Sequence, residues 1–454
     1  MPERDRVLPW LLLPLGALLT AGLLLRPTYG VAAIGAVVVV VTGAASIAYP
    51  LGLSGFAAPI IALLGRDPFP SKSVPLIVFG WIVVGLAFGW SSELARRVRG
   101  VLTKPLVWLS VALLGLMLLR LPASTDSTYA HLKVELFVMS NLALLLAGIV
   151  LGTRHRTVEL FLILLLLIDA VSGLLVIREF GQPAAAVDRF TLPQEGIISL
   201  GAQGAEGVMV STYLMLRGST PWRRMLGTCL LPVTFVSLLA SGSRGPVLGG
   251  AAGLVALLVL LARSRTSAVR LLALAVLFVV SFVAVLQIVP SGAAHRSLST
   301  ITGTKSGLAS NGRNQLWSAG WSAFVNHPAL GIGTGSFATY GRQLVCPGPG
   351  CQDKYPHNIL LETAAELGIV GLFLTAAIIV AGGVLLLRVW RRGDPDLRAT
   401  ASIVFSLYLA AAITSMLTSD ITGHAEIWLL GGIGLGLSTR LTRRETSGHL
   451  RASS

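Results

Sequence analysis

Two arginines and one histidine in this sequence lie where apolar stretches meet polar residues. Arg244 lies in the short turn Ser241–Pro246 between two apolar stretches. Arg313 lies one helical turn before Trp317, and His357 closely precedes an apolar segment. An arginine guanidinium holds phosphate through two charge-assisted hydrogen bonds. A histidine can act as a general base near neutral pH, although a bare His-Asn pair is more often structural.

Carboxylates are rare within the apolar stretches, where Asp169 and Glu206 are the clear charges. Gln203 precedes Glu206 by about one helical turn. A carboxylate in a membrane span is costly unless it faces the bundle interior, pairs with a cation or touches a polar ligand. We therefore expect the two carboxylates to face the bundle interior, to pair with an arginine or to touch a polar ligand. For Glu206, substrate contact and a purely structural hydrogen bond both stay open.

The segment around Trp317 predicts an amphipathic helix. Trp317, Trp321 and Phe324 recur at helical spacing, and Pro328 ends the segment. Tryptophan at such positions suits a helix that lies at a membrane interface. Arg313 falls on the same face as Trp317. An ordinary amphipathic helix with a solvated arginine is the alternative.

Two shorter motifs follow this segment. The alternating glycines of Gly331–Gly335 are a weak phosphate-loop signal because no strand precedes them, and most such runs are turns. Cys346 and Cys351 flank a Pro/Gly turn, and on an oxidising face they are expected to form a small disulfide, with free thiols as the alternative. No carboxylate pair with metal-ligand spacing stands in the polar loops, so we expect neither a metal nor another cofactor.

The composition indicates what kind of secondary structure holds these residues in place. The chain has 454 residues, of which 54% are hydrophobic and 12% are charged, and this excludes a soluble globular protein. A net charge of +15 would suggest nucleic acid for a soluble protein, but membrane proteins concentrate Lys and Arg in cytoplasmic loops. No nucleic-acid-binding motif is present. The sequence therefore predicts an all-α polytopic integral membrane protein with about 12–14 transmembrane helices.

The candidate spans are apolar stretches of roughly membrane-spanning length. The stretch 51–64 is the weakest because it is short and contains Pro59. The full set is 7–25, 31–48, 51–64, 74–90, 105–120, 134–151, 159–177, 197–216, 226–240, 247–262, 271–290, 367–387, 399–417 and 425–439.

The distribution of Lys and Arg predicts the orientation and four regions. With the N-terminus inside, most of the 35 basic residues fall in cytoplasmic segments, so both termini are expected in the cytoplasm. The regions are a helical bundle over 1–290, a large extracytoplasmic loop with short amphipathic helices over 291–366, C-terminal transmembrane helices over 367–439 and a cytoplasmic tail over 440–454. Membrane lipids surround such a protein.

Several motifs over about residues 235–375 resemble the O-antigen ligase family, which also includes Wzy-type polysaccharide polymerases. The central one is His357-Asn358 followed, after nine residues, by Gly368-x-x-Gly371. The other motifs occur in matching order, and they are Ser241–Gly245, Gly312–Trp317 and His327–Gly335.

The resemblance implies a metal-independent, inverting membrane glycosyltransferase. Such enzymes transfer a glycan from an undecaprenyl-diphosphate-linked donor to a glycan, lipid or other hydroxyl acceptor at the outer face of the cytoplasmic (inner) membrane, as in lipopolysaccharide and other cell-envelope polysaccharide biosynthesis. Arg244 and Arg313 would stabilise the diphosphate, and His357 would accept the hydroxyl proton or orient the diphosphate. Further substrate contacts would come from Ser243, Asn358, Trp317 and Glu206.

Two other functions remain open. A polymerase would use another lipid-linked repeat unit as its acceptor. A polysaccharide exporter or flippase could also have this number of helices, although its lumen would be expected to carry more charges than Asp169 and Glu206.

Overall fold

A computed structural model describes residues 99–179, 197–262, 311–345, 355–423 and 425–452. These residues form helices and turns without a β-strand, which confirms the all-α prediction for the described part of the chain. The predicted spans within residues 1–98 and the span 271–290 lie outside the described residues. The described helices are, in chain order, α1 (Pro105–Leu119), α2 (Ser127–Leu136), α3 (Ala143–Gly152), α4 (His155–Glu179), α5 (Ile197–Arg217), α6 (Pro221–Ala240), α7 (Arg244–Leu261), α8 (Asn311–Asn326), α9 (Phe337–Val345), α10 (Ile359–Arg392), α11 (Pro395–Thr418) and α12 (Glu426–Ala452).

Six helical segments in the described residues are long and apolar enough to cross a membrane. One of them joins α2 to α3 through a π-helical segment, Phe137–Leu142. The others are α4, α6, α7, α10 and α11. Every predicted span that falls in the described residues coincides with a helix, and the multi-span membrane fold is confirmed. The shorter α1 and the less apolar α5 and α12 are not among the six.

Helix α5 lies in the centre of the bundle, in contact with α4, α6, α7 and α11. Glycines on α5 let these neighbours approach closely, since a Cβ added at Gly204 would lie 2.3 Å from the Leu238 backbone nitrogen. The polar side chains of this region are correspondingly buried: Asp169 is 0% exposed, Gln203 1% and Glu206 9%. Asp169 and Glu206 therefore face the bundle interior, which is one of the three surroundings expected for them.

Helices α3 and α12 cross with their backbones in contact. A Cβ at Gly148 would lie 2.1 Å from the Leu429 carbonyl oxygen, and a Cβ at Gly432 would lie 2.2 Å from the Leu145 carbonyl oxygen. Both helices repeat glycine after four residues at this crossing, which is the pattern of closely packed membrane helices. The crossing ties the C-terminal helix to the middle of the chain.

Gly432→Ala should therefore destabilise the protein by about 1–3 kcal/mol, because the new methyl group has no room between the two backbones. Gly115→Ala is the matched control, since a Cβ at Gly115 would meet nothing within 4 Å. Thermal unfolding of both variants in the same detergent measures the difference. Equal melting temperatures for the two variants would contradict the close crossing.

Basic side chains gather at one end of the bundle. Helices α5 and α7 run parallel, because Ala205 faces Gly250 and Met209 faces Gly253, whereas α7 and α11 run antiparallel. The C-terminal ends of α5 and α10 and the N-terminal ends of α6 and α11 consequently share one end. Among the described residues, the basic ones at this end include Arg154, Arg156, Arg217, Arg223, Arg224, Arg388, Arg391, Arg392, Arg398 and Arg440.

Candidate functional site

Helix α10 is broken at Gly368, and a loop fills the break. Gly368 has φ 68° and ψ −159°, which interrupts the helical hydrogen bonds. The loop amide of Ile332 donates to the Ala365 carbonyl at 2.9 Å, and the Ile369 amide donates to the Pro328 carbonyl at 2.8 Å. Backbone groups at such a break must find partners within the protein. The break therefore fixes the loop against the first two turns of α10.

The alternating glycines of this loop form a tight turn. Gly331, Gly333 and Gly335 have φ values of 65°, 106° and 74°, which favour glycine. The Gly333 amide donates to the Glu366 carbonyl at 3.0 Å, and the Gly335 amide donates to the Glu366 carboxylate at 2.8 Å. These two amides are already bonded to protein oxygens. The structure thus supports a turn rather than a phosphate loop.

His357 lies immediately before α10 in a strained backbone conformation. Its φ of 56° is the one positive value at a non-glycine residue in the part of the chain that the structure describes. The Nδ1 atom lies 3.2 Å from the Thr418 carbonyl oxygen, and the ring contacts Tyr355 edge to face at 4.7 Å. Since a carbonyl only accepts, Nδ1 must donate in this hydrogen bond. In the neutral ring, Nε2 is then the proton acceptor.

Asn358, a predicted substrate contact, caps helix α10. Its side-chain oxygen accepts a hydrogen bond from the Leu361 amide at 3.0 Å, and its backbone carbonyl accepts from the Glu362 amide at 2.9 Å. Asparagine is a favoured N-cap residue because it satisfies an amide that has no helical partner. The structure gives Asn358 this structural role, and contact with a substrate stays a prediction.

Arg244 begins helix α7, with Ser243 as the N-cap residue. The turn is shorter than predicted, since Arg244, Gly245 and Pro246 already belong to α7, and the Ser243 amide donates to the Ser241 hydroxyl at 3.2 Å. The next residue, Gly245, packs on the end of α11, where an added Cβ would lie 2.3 Å from the Thr418 Cγ2 atom. Thr418 also binds His357 through its carbonyl. The Arg244 turn and His357 therefore meet at the C-terminal end of α11.

Arg313 lies near the start of α8, which is amphipathic as predicted. One face is buried against α9 and α10, through Leu316 and its neighbours, whereas Trp321 is 59% exposed. The helix runs parallel to the first turns of α10, because a Cβ at Gly320 would lie 2.9 Å from the Leu361 Cγ atom and the following loop reaches the break. Arg313 precedes Gly320 by about two turns, so it lies toward the His357 end.

Trp317 and Glu206, two further predicted substrate contacts, lie in different surroundings. The Trp317 indole N–H is buried and has no hydrogen-bond acceptor among the described residues. Glu206 follows Ala205, which packs on Gly250, six residues along α7 from Arg244. At 1.5 Å per residue, Glu206 is about 9 Å deeper in the bundle than Arg244. Substrate contact by either residue stays a prediction.

Three further predictions concern the outer loop, the cysteine pair and the absence of a metal site. The predicted outer loop is described at 311–345 and from 355 onward, where it contains the short helices α8 and α9. Cys346 and Cys351 lie outside the described residues, so their disulfide stays a prediction. In the described ranges, no three His, Cys, Asp or Glu side chains are grouped as metal ligands.

A buried charge cluster next to the site was not predicted from the sequence. The Lys133 ammonium on α2 contacts Glu362 and lies 2.9 Å and 2.8 Å from the two carboxylate oxygens of Glu366. All three side chains are almost fully buried. The four-residue spacing of the two glutamates places both on one face of α10 and was visible in the sequence. Their cation is 229 residues away from Glu362 in the chain, and no local pattern indicates that pairing.

A known protein family matches the part of the chain that carries the candidate site. Residues 228–376 match the family described as O-antigen ligase. No curated protein matches the chain. The matched segment contains Arg244, Arg313, His357 and the Gly368 break, and the resemblance drawn from the motifs is therefore confirmed. The part of this membrane protein that carries the candidate site, residues 228–376, therefore matches the O-antigen ligase family.

Proposed function

We propose that this protein is a glycosyltransferase that moves a glycan from an undecaprenyl-diphosphate-linked donor to an acceptor hydroxyl. The observation that carries the proposal is that Gly245, next to Arg244, and His357 both pack on Thr418, with Arg313 toward the same end of α8 and α10. The family match supports an enzyme that acts on lipid-linked glycans in general. The donor, the acceptor and the mechanism are our inference.

The diphosphate is the group that this end of the bundle can best bind. Helices α7 and α10 both begin here, and their first amides carry partial positive charge. The half-buried guanidinium groups of Arg244 and Arg313 add two full positive charges. Charge that builds up on a departing diphosphate is stabilised best by cations already fixed in place. The two arginines would supply that stabilisation without a metal.

His357 is suited to accept the proton of the acceptor hydroxyl. With Nδ1 bound to the Thr418 carbonyl, Nε2 carries the lone pair. The hydroxyl oxygen forms a bond to the anomeric carbon while the bond from that carbon to the diphosphate oxygen breaks. The proton passes to Nε2, and undecaprenyl diphosphate leaves as the anion held by the arginines. Attack from the side opposite the leaving group inverts the anomeric centre.

The charge distribution supports an extracytoplasmic site. Arg388, Arg391 and the other basic residues of that end lie at the opposite end of the bundle from His357. Lys and Arg collect on the cytoplasmic side of membrane proteins. We therefore place the basic end in the cytoplasm and the site at the outer face of the cytoplasmic membrane, which a polyprenyl lipid can reach from within the bilayer.

Reconstitution tests the proposed reaction directly. Purified protein in lipid vesicles, given an undecaprenyl-diphosphate glycan and candidate acceptors, should form a new glycosidic bond in the presence of EDTA. A glycosyltransferase that requires Mg²⁺ is the control and should lose its activity under the same conditions. Loss of transfer that Mg²⁺ or Mn²⁺ restores would contradict the arginine-based mechanism. A product lengthened on the lipid carrier would indicate a polymerase, and passage of glycan across the membrane without a new bond would indicate an exporter.

A further inference from the structure

A buried group of three charged side chains lies next to the site. It consists of Lys133, Glu362 and Glu366 and is here called the Lys133 cluster. The Lys133 ammonium has three hydrogens, and it contacts one oxygen of Glu362 and both oxygens of Glu366. The second oxygen of Glu362 accepts a hydrogen bond from the Ile421 amide at 2.7 Å. Because the donors of Lys133 are used within the protein, a substrate contact is not the role that this geometry indicates.

The Lys133 cluster joins segments that come from distant parts of the chain. Lys133 belongs to α2, which lies outside the segment that matches the O-antigen ligase family. Glu366 binds the amides of Gly335 at 2.8 Å and Phe337 at 3.3 Å, where α9 begins. Ile421, which binds Glu362, lies three residues after the end of α11. The two glutamates thus join α10 to the glycine turn and to the segment after α11, and the Lys133 ammonium joins both glutamates to α2.

The segments joined in this way also determine where the His357 imidazole lies. Glu362 is one helical turn after Asn358, and its amide donates to the Asn358 carbonyl. Ile421 lies three residues beyond Thr418, whose carbonyl binds the imidazole. The Lys133 cluster therefore holds α10 and the residues after α11 in a fixed position relative to each other. This position is close to the contact between the His357 imidazole and the Thr418 carbonyl.

The backbone of His357 makes this restraint important. A non-glycine residue with φ near 56° is unfavourable and persists only when its surroundings hold it. The Asn358 cap and the Thr418 carbonyl provide local restraint. If the first turn of α10 moved relative to the end of α11, the imidazole would lose the hydrogen bond that orients Nε2.

We propose that Lys133 is a positioning residue for His357 that acts through Glu362 and Glu366. The proposal rests on the proposed function for its effect on catalysis. Its structural part, the restraint of the imidazole by a buried ammonium, does not depend on the identity of the substrate.

Lys133→Met in the full-length, reconstituted protein tests this role. We expect kcat for transfer to fall by about 10²-fold, since a displacement of about 1 Å at a reacting group has an effect of that size. The KM for the lipid donor should change little, because the arginine sites remain. Modification of His357 by diethylpyrocarbonate, followed by mass spectrometry, should be faster in the variant. Lys104→Met is the matched control, since Lys104 is exposed.

Two further variants cover the case in which Lys133→Met does not fold. Lys133→Met leaves two buried carboxylates without their cation, which is strongly destabilising. The triple variant combines Lys133→Met with Glu362→Gln and Glu366→Gln, and it removes all three charges together. The triple variant should fold and show the same loss of kcat. Glu366→Gln alone should show a smaller loss in the same direction.

The outcomes distinguish a failure of the positioning role of Lys133 from a failure of the proposed function. A folded Lys133→Met or triple variant with wild-type kcat and an unchanged rate of His357 modification would overturn the positioning role. If the wild-type protein transfers no glycan, the proposed function fails, and the rate of His357 modification alone then decides the positioning role. Equal losses of kcat in Lys104→Met and Lys133→Met would show a general effect of removing a lysine, and would also overturn it.

Discussion

Arg244→Ala should lower the rate of glycan transfer by about 10²–10³-fold, and Arg313→Ala should do the same, because each removes a charged donor to the departing diphosphate. Both side chains are half-buried at the end of the bundle that carries His357, where solvent screens their charge less than on an open surface. The variants should still insert and fold. Transfer assays on purified, folded protein measure the loss, and Arg391→Ala, at the exposed basic end, is the control that should retain activity.

Replacement by lysine separates diphosphate binding from a simple need for positive charge. Arg244→Lys and Arg313→Lys keep the charge, but an ammonium cannot form two parallel hydrogen bonds to one phosphate. We expect both lysine variants to recover little of the lost activity. Full activity of a lysine variant at either position would mean that the arginine there serves topology or solubility rather than the transition state.

His357→Ala should lower transfer by about 10²–10⁴-fold, the usual contribution of a general base. Binding of the lipid donor should change less than in the arginine variants, because the diphosphate contacts remain. Helix capping does not account for His357, since Asn358 already provides the cap of α10. Rates of transfer and affinities for the donor, measured on the same preparations, test this difference.

Two amide variants distinguish the possible roles of the imidazole. His357→Asn tolerates the positive φ and can donate to the Thr418 carbonyl as Nδ1 does, but it cannot accept a proton. His357→Gln can place an N–H near the position of Nε2. If His357 is the base, both variants should be impaired to a similar extent. Wild-type turnover in His357→Gln would instead assign His357 to orienting the diphosphate, and Glu206 would become the next candidate base.

Much of the fold could be predicted because hydropathy reports directly on membrane spans. The apolar stretches 134–151, 159–177 and 399–417 all lie within helices of the structure. Hydropathy does not report on neighbours, however. The central place of α5 comes from glycines such as Gly204 and Gly207, which allow close packing on all sides, and a linear pattern does not show which helices approach them.

The sequence indicates which residues belong to the candidate site, but it does not indicate which contacts hold them together. Arg244, Arg313 and His357 follow from motifs in the sequence, whereas Thr418, which Gly245 and His357 both contact, lies outside those motifs. The pairing of Lys133 with Glu362 joins residues 229 positions apart. Such contacts depend on how α2, α10 and α11 pack together, which no local spacing specifies.

The position of a bound donor tests the central claim most directly. The measurement is a structure of the full-length protein in lipid nanodiscs with an undecaprenyl-diphosphate glycan, without added metal. We predict that the diphosphate contacts the guanidinium groups of Arg244 and Arg313 and that Nε2 of His357 faces the anomeric carbon. A diphosphate bound at the opposite end, beside Arg388 and Arg391, or bound with no contact to Arg244, would contradict the account.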